Sequence, residues 1–299
     1  MEEEEEEMEK IRIITDSASD ISDENEKDLD IRVLPFQIAL GDSSYTSRLD
    51  FDNDGFYELM AQYDEIPKTS QITPFEFQEL YLKEAEAGYT DIILVLINSH
   101  GSSTFGNSVM AKETFFDEHP EYEGKLHIYN IDGKGYSSIY GVPVVDGARM
   151  IKEGKSAKEV DAYIRNAIDN RRIYFGMYTL KYAGKSGRIP SAAAFVGDRL
   201  NLKPIMKICD NEITTGAKVR GEGKLIPKIV DMSIADMKPG TPYEVIYGND
   251  LNAKEEMEAL MKERVGYGPA GYYQIGAAIA ANAGPRTVGL SFYIKGSDK

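Results

Sequence analysis

"DIILVLINSHGSSTF", residues 91–105, opens as an uninterrupted apolar run and closes crowded with hydroxyls. The run from Ile92 to Ile97 has the length and β-branched content of a strand buried on both faces, the kind found in parallel sheets covered by helices. The segment from about Ser102 to Asp117 reads as a helix. A strand handing over to a helix defines the carboxyl edge of an open α/β sheet, where ligands tend to bind. Hydroxyls and the free N–H groups of a helix's first turn would both face that edge, and the helix dipole favours an anion there. Ser102 as a simple helix cap reads equally well.

The same alternation extends in both directions and gives an α/β fold class with a largely parallel sheet in the first half. "KIRIITD" (10–16) and "IRVLPFQIAL" (31–40) read as strands. "DNDGFYELMAQY" (52–63) and "TPFEFQELYLKEAEAG" (73–88) read as helices, the second with Thr73 as N-cap, Pro74 at the first helical position and Gly88 at its end. A strand at "KLHIYNID" (125–132) and helices over 137–154 and 156–171 complete a first domain, residues 10–170. The second, residues 171–299, is a mixed α/β domain. It opens with the strand "RIYFGMYTL" (172–180), and the Gly, Ser and Ala of "KYAGKSGRIPSAAAFVGDRLN" (181–201) suggest short helices or backbone lying close to something. Two β-rich runs flanking Asp210 and Asn211 form a hairpin. A helix over 225–237, the strand "YEVIYG", a helix over 253–265 and the strand "TVGLSFYI" complete it. No Pro/Gly/Ser-rich linker separates the halves, so a broad interface is expected, and such interfaces favour ligands.

Composition narrows the chemistry. A chain of 299 residues with 42% apolar content fills the cores of one large or two ordinary domains. No apolar stretch approaches the roughly 18 residues of a membrane span, and no signal peptide opens the chain, which reads as soluble and cytoplasmic without stable membrane insertion. One cysteine and three scattered histidines leave no disulfide framework and no Cys/His zinc cluster. A formal charge of −16 argues against nucleic acid. Part of that charge lies in a run of six glutamates, and residues 1–9 read as a disordered acidic tail.

Catalytic motifs fit poorly. "GSSTFG" lacks the Gly-Lys-Ser/Thr end of a phosphate loop, and "TDSASD" stands where a G-x-G-x-x-G would follow the first strand. "SHGSST" is not a nucleophile elbow, and His100 is too close in sequence to Ser102 for triad geometry. A serine-dependent hydrolase or transferase using Ser99 or Ser102 stands as the alternative from another class. Three further segments share the hydroxyl-rich character. Asp16 and Ser17 would sit at the end of the first strand, with Ser19 or Asp20 capping the next helix. Thr69 and Ser70 would sit just before a helix start. Asn282 and Arg286 lie beside small residues that let backbone approach a ligand.

Eight segments then fall in one order: "TDSASD" (15–20), "LPFQIALGDSSYTSRLDF" (34–51), "PKTSQITPFEF" (67–77), "INSHGSSTF" (97–105), "TLKYAGKSGRI" (179–189), "LNLKPIMKICDNEI" (200–213), "AKVR" (217–220) and "ANAGPRTVGL" (281–290). In this order the sequence resembles the DegV family of bacterial fatty-acid-binding proteins, from about Lys10 to Tyr293. The resemblance implies a two-domain DegV-like fold with one long-chain fatty acid, such as palmitate, in a tunnel between the domains. It also implies a role without catalysis or cofactor, as the binding subunit of a fatty-acid kinase whose separate catalytic subunit makes the acyl phosphate. Hydroxyls matching Thr69 and Ser99 or Ser102 would hold the carboxylate. Ser70, Ser103, Asn282 and Arg286 complete the candidate ligand set, and Arg188 and Arg220 would meet the kinase or the phosphate. Asn282 stands where family members often carry histidine, and Ser103 where they carry glycine. A tail of about 16 carbons at about 0.8 kcal/mol per methylene gives an upper bound near 12 kcal/mol, so the head needs only orientation. A carrier of another amphiphile, with no kinase partner, fits the same residues.

Overall fold

A computed structural model describes residues 9–189 and 201–296. The acidic tail therefore lies outside the described residues except for Glu9, whose carboxylate accepts the Ala157 N–H at 2.8 Å. All of "PSAAAFVGDRL" (190–200) lies outside them too, and with it that part of the stretch expected to hold short helices.

The chain begins with β1 (Ile11–Asp16), a 3-10 turn at Ser17–Ser19 and α1 (Asp23–Asp28). Next come β2 (Arg32–Leu34), β3 (Gln37–Leu40), β4 (Ser43–Thr46), α2 (Asn53–Ala61) and β5 (Lys68–Ser70). Then come α3 (Pro74–Glu86), β6 (Asp91–Leu96), α4 (Thr104–Glu118), β7 (His127–Asp132), α5 (Ser138–Lys152) and α6 (Ala157–Asp169). The remainder holds β8 (Arg171–Met177), α7 (Lys181–Ser186), β9 (Leu202–Cys209), β10 (Glu212–Arg220) and α8 (Leu225–Asp236). It closes with β11 (Tyr243–Tyr247), α9 (Leu251–Val265), β12 (Gly271–Gln274), α10 (Ala277–Ala283) and β13 (Thr287–Tyr293).

Strand β6, the apolar run "DIILVL", is buried at every residue and lies inside a parallel sheet of order β2-β1-β6-β7. The mixed sheet has the order β10-β9-β8-β13-β11-β12, antiparallel except for β11 with β12. The expected single strand "IRVLPFQIAL" is two. Pro35 has no N–H to give a ladder, so β2 stays in the parallel sheet while β3 leaves it to pair with β4 and β5 in a small antiparallel sheet. Thr69 and Ser70, expected just before a helix start, sit on β5, four residues short of α3 at Pro74.

Local chemistry accounts for several boundaries. Thr73 and Glu76 close a capping box at the start of α3, satisfying two orphan donors reciprocally. Asp210 and Asn211 both take positive φ, 48° and 65°, the backbone that a two-residue hairpin turn with matching twist requires. Ser22, not Ser19 or Asp20, caps α1. The helix after β6 starts at Thr104, with Ser103 as N-cap and no side-chain cap bond.

The mixed sheet divides its two faces by the period of two. Tyr174, Ile205, Val245, Leu290 and Phe292 point to one side and pack with residues of α8 and α9. Ile173, Phe175, Ile208 and Ile246 point to the other and join the core of the first half. That second face has a polar border. Arg171, two residues before Ile173, is buried in an ion pair with Glu244, donates to Ser291 Oγ at 2.7 Å and lies over the Tyr293 ring.

Candidate functional site

Between that face and the carboxyl edge of the parallel sheet lies a cavity of about 520 Å³, within the size range of small-molecule sites. Its apolar wall is built from strands that are remote in sequence. Ile213, Ile208 and Ile173 face one another in register across β10, β9 and β8. Phe175, Ile246 and Ile275 continue the wall, and α10 adds Ala278, Ile279 and Ala283. Isoleucine holds essentially one χ1 rotamer in a given backbone setting, so such a wall is largely pre-formed.

The polar end is the loop after β6, and Asn98 folds it. The buried Asn98 carbonyl accepts N–H groups from Gly101 and Ser102, both at 3.1 Å, and its side-chain oxygen accepts the His100 N–H at 2.8 Å. Its amide donates to the Asn211 carbonyl at the tip of the β9–β10 hairpin, 3.0 Å away. Beneath the loop, Asp16 accepts from Ile97 N–H (2.7 Å), Ala18 N–H (3.0 Å) and the Tyr140 hydroxyl (2.6 Å). Burial pushes the Asp16 carboxyl up to about 6, against the lowering effect of these three donors. Asp16 is therefore a brace joining β1, β6 and α5.

Hydroxyls at this end differ in what they have left to offer. Ser99 N–H and Oγ–H both donate to Asp132, at 3.1 and 2.5 Å, so the Ser99 proton is committed. Ser102 Oγ accepts the Thr104 N–H and shares a 2.9 Å hydrogen bond with Thr104 Oγ1, which accepts the Ile72 N–H. That last bond and Asn107 Nδ2 to the Ile72 carbonyl, 2.7 Å, hold the Thr69–Gln71 segment against the loop. Thr69, Ser70 and Gln71 line the cavity there, beside Ser99, Ser102 and Ser103. No serine hydroxyl bonds a histidine ring among the described residues.

Of the remaining sequence candidates, Arg188 and Asn282 line the same cavity. Asn282 Nδ2 donates back to Ala278 O at 3.0 Å. Arg286 does not line it. Its guanidinium pairs with Asp250 at 2.9 Å and stacks over the Tyr178 ring, in a separate surface hollow with Asn249 and Leu251. Arg220 is exposed at the end of β10, opposite Leu202, and is also absent from the lining.

Sequence reasoning missed Asn98, Asp132 and Tyr136. Topology was the available signal: β7 is parallel to β6, so residues just after β7 share the carboxyl edge with the Asn98 loop. Asp20, at the junction of the halves, accepts the N–H of Gly276, the N-cap of α10, at 2.8 Å. Burial pushes its carboxyl up to about 7.

A family profile described as an uncharacterised protein of the DegV family matches residues 10–295. The chain belongs to the DegV family. DegV domain-containing proteins of Clostridium perfringens and Clostridium acetobutylicum are each 31% identical to it, over 297 and 287 residues, with 95% of this chain and 98% of each relative covered. Among solved DegV-like folds, a stearic-acid-binding protein from Eubacterium ventriosum has a TM-score of 0.84 at 22% identity, covering 96% of this chain and 99% of that one. DegV of Bacillus subtilis, described as a fatty acid binding protein, has a TM-score of 0.79 at 24% identity, covering 95% and 99%. A DegV family protein of Ruminococcus gnavus, solved with vaccenic acid, has a TM-score of 0.78 at 20% identity, covering 94% and 99%. No helix among the described residues of this chain is long and apolar enough to cross a membrane.

Proposed function

We propose that this protein binds one long-chain fatty acid in the cavity between its two domains and presents the carboxylate, at the Asn98 loop, to a separate kinase in the cytoplasm. The observation that carries the reading is the division of one cavity into an isoleucine wall and an end of hydroxyls, amide and guanidinium. Family membership and neighbours that hold fatty acids support it.

Dimensions agree. The wall extends from Ile213 on β10 to Ile246 on β11, four strand spacings in the sheet order, or about 19 Å at about 4.8 Å each. An extended chain advances roughly 1.2 Å per bond, so about 16 bonds span the wall. Beyond it, along the strands, the Arg171–Glu244 ion pair replaces apolar side chains and offers a tail nothing.

In this reading Thr69 and Ser102 donate to the carboxylate, Arg188 supplies the positive charge, and Arg188 and Arg220 meet the kinase or the phosphate. The protein performs no chemistry itself. Mass spectrometry of gently denatured protein tests the lipid: a stoichiometric acyl chain, or uptake of added palmitate or oleate, is expected, and the absence of both would overturn the proposal. Acyl-phosphate formation on adding a family kinase and ATP tests the partner. If the lipid binds and no acyl phosphate forms, the kinase half fails alone. Specific labelling by a fluorophosphonate would favour a serine enzyme instead.

A further inference from the structure

Tyr136 lies just beyond β7 and lines the cavity, yet fatty-acid binding as proposed gives it no task. Its hydroxyl has no hydrogen-bond partner among the described residues. The phenol lies against the inside of the Asn98 loop, so close that a Cβ placed on Gly101 would be 2.1 Å from the Tyr136 hydroxyl oxygen. Arg188, on the same lining, is near enough to act on the phenol by charge, and so is Asp132, which accepts the Ser99 hydroxyl's hydrogen bond. Burial is the larger influence and pushes the phenol up to about 12, so it stays a neutral O–H donor at physiological pH.

Tyr136 is half-buried and lines the cavity, so an O–H there that no protein group accepts is left to donate to whatever the cavity holds. Ser99 cannot be the donor that meets a head group, because its O–H is already donated to Asp132. Tyr136 stands at the same end with a proton to give, in a lining that also holds the Arg188 guanidinium. A carboxylate is acceptor-only and accepts from both. An alcohol or ester head gains less from each, because hydrogen bonds to an ionised acceptor are roughly twice as strong as neutral ones.

Resting on the fatty-acid reading, we infer that Tyr136 is a specificity-determining residue: its O–H, set against Gly101 in a lining that also holds Arg188, donates to the ligand carboxylate and makes the cavity prefer an ionised head over a neutral one. Gly101 belongs to the same device. A methyl group there displaces the far end of the tyrosine, since the backbone of the loop is fixed by Asn98.

The test compares palmitate with 1-hexadecanol, which carries a tail of the same length and a neutral head, at pH 8. Affinities are measured by competition for the wild-type protein, Tyr136→Phe and Gly101→Ala. Wild type is expected to prefer palmitate. Tyr136→Phe should lose about tenfold in palmitate affinity and change little for hexadecanol, and Gly101→Ala should reproduce this loss. In a Tyr136→Phe background Gly101→Ala should add nothing. An unchanged palmitate-to-hexadecanol ratio in both single variants overturns the role of Tyr136 while leaving the fatty-acid reading intact. Wild-type protein that takes up neither amphiphile overturns both. If Tyr136→Phe fails to fold, Gly101→Ala alone decides by the same ratio.

Discussion

At the mouth of the cavity the groups that face a ligand come from loops after β6 and β7 and from β5, with Arg188 added from beyond α7; at its wall they come from β8 to β11 and α10. The mouth is polar and small in area, so what matters there is which hydrogen atoms remain unshared. The wall is apolar, so what matters is how much surface it covers. Orientation and affinity are thereby assigned to different parts of the chain, and substitutions should separate them.

The strongest separation is expected at the wall. Ile208→Trp, set between Ile173 and Ile213, should fill the space of about two to three methylenes, and at about 0.8 kcal/mol each palmitate affinity should drop by about thirtyfold or more in a titration. A retained affinity would mean that the tail does not lie along β9. Next is the brace under the mouth: Asp16→Ala leaves the Ile97 and Ala18 N–H groups and the Tyr140 hydroxyl without their acceptor, a loss of about 3 kcal/mol in denaturant unfolding.

A pH series sharpens the same contrast. The Asp20 carboxyl is raised from its ordinary value of 3.8 to about 7 in the folded protein, so the stability it contributes is fully present below the ordinary value and is lost as pH rises through about 7. Unfolding free energy should therefore fall by about 2 kcal/mol between pH 5 and pH 7, and Asp20→Asn should flatten the curve. Asp16, raised to about 6, adds to the slope. The smallest effects distinguish two neighbouring hydroxyls. Thr69→Val should weaken palmitate binding by about 1 kcal/mol with unchanged melting temperature. Ser99→Ala, which removes a donor to Asp132, should do the reverse.

The mouth was largely legible in the sequence because its hydroxyls cluster within short segments, and "NSHGSST" and "KTSQ" announce themselves by composition. Local rules also carried Thr73 as the N-cap of α3 and the Asp210–Asn211 turn, where the determining residues are neighbours. The wall was not legible. Ile173, Ile208, Ile213 and Ile246 are ordinary strand residues until sheet order aligns them, and that order depends on pairings between remote segments. Pro35 could have warned that "IRVLPFQIAL" divides, since a strand interior tolerates no missing donor. Arg286 misled for a complementary reason: small neighbours suggested a ligand nearby, whereas its counter-charge, Asp250, is the N-cap of α9 and remote in sequence. Nor could composition reveal that the Ser99 proton is already shared with Asp132.

The tip of the β9–β10 hairpin holds one more consequence. Asn211 accepts the Asn98 amide and donates its own N–H to the Lys134 carbonyl at 3.0 Å, while Ile208 and Ile213 on the flanking strands face the cavity. Two hydrogen bonds at a single turn thus close the hairpin over whatever the cavity contains. Exchange of the contents is then a matter of lifetime rather than of affinity, and the dissociation rate of a bound chain should follow how often that turn lets go.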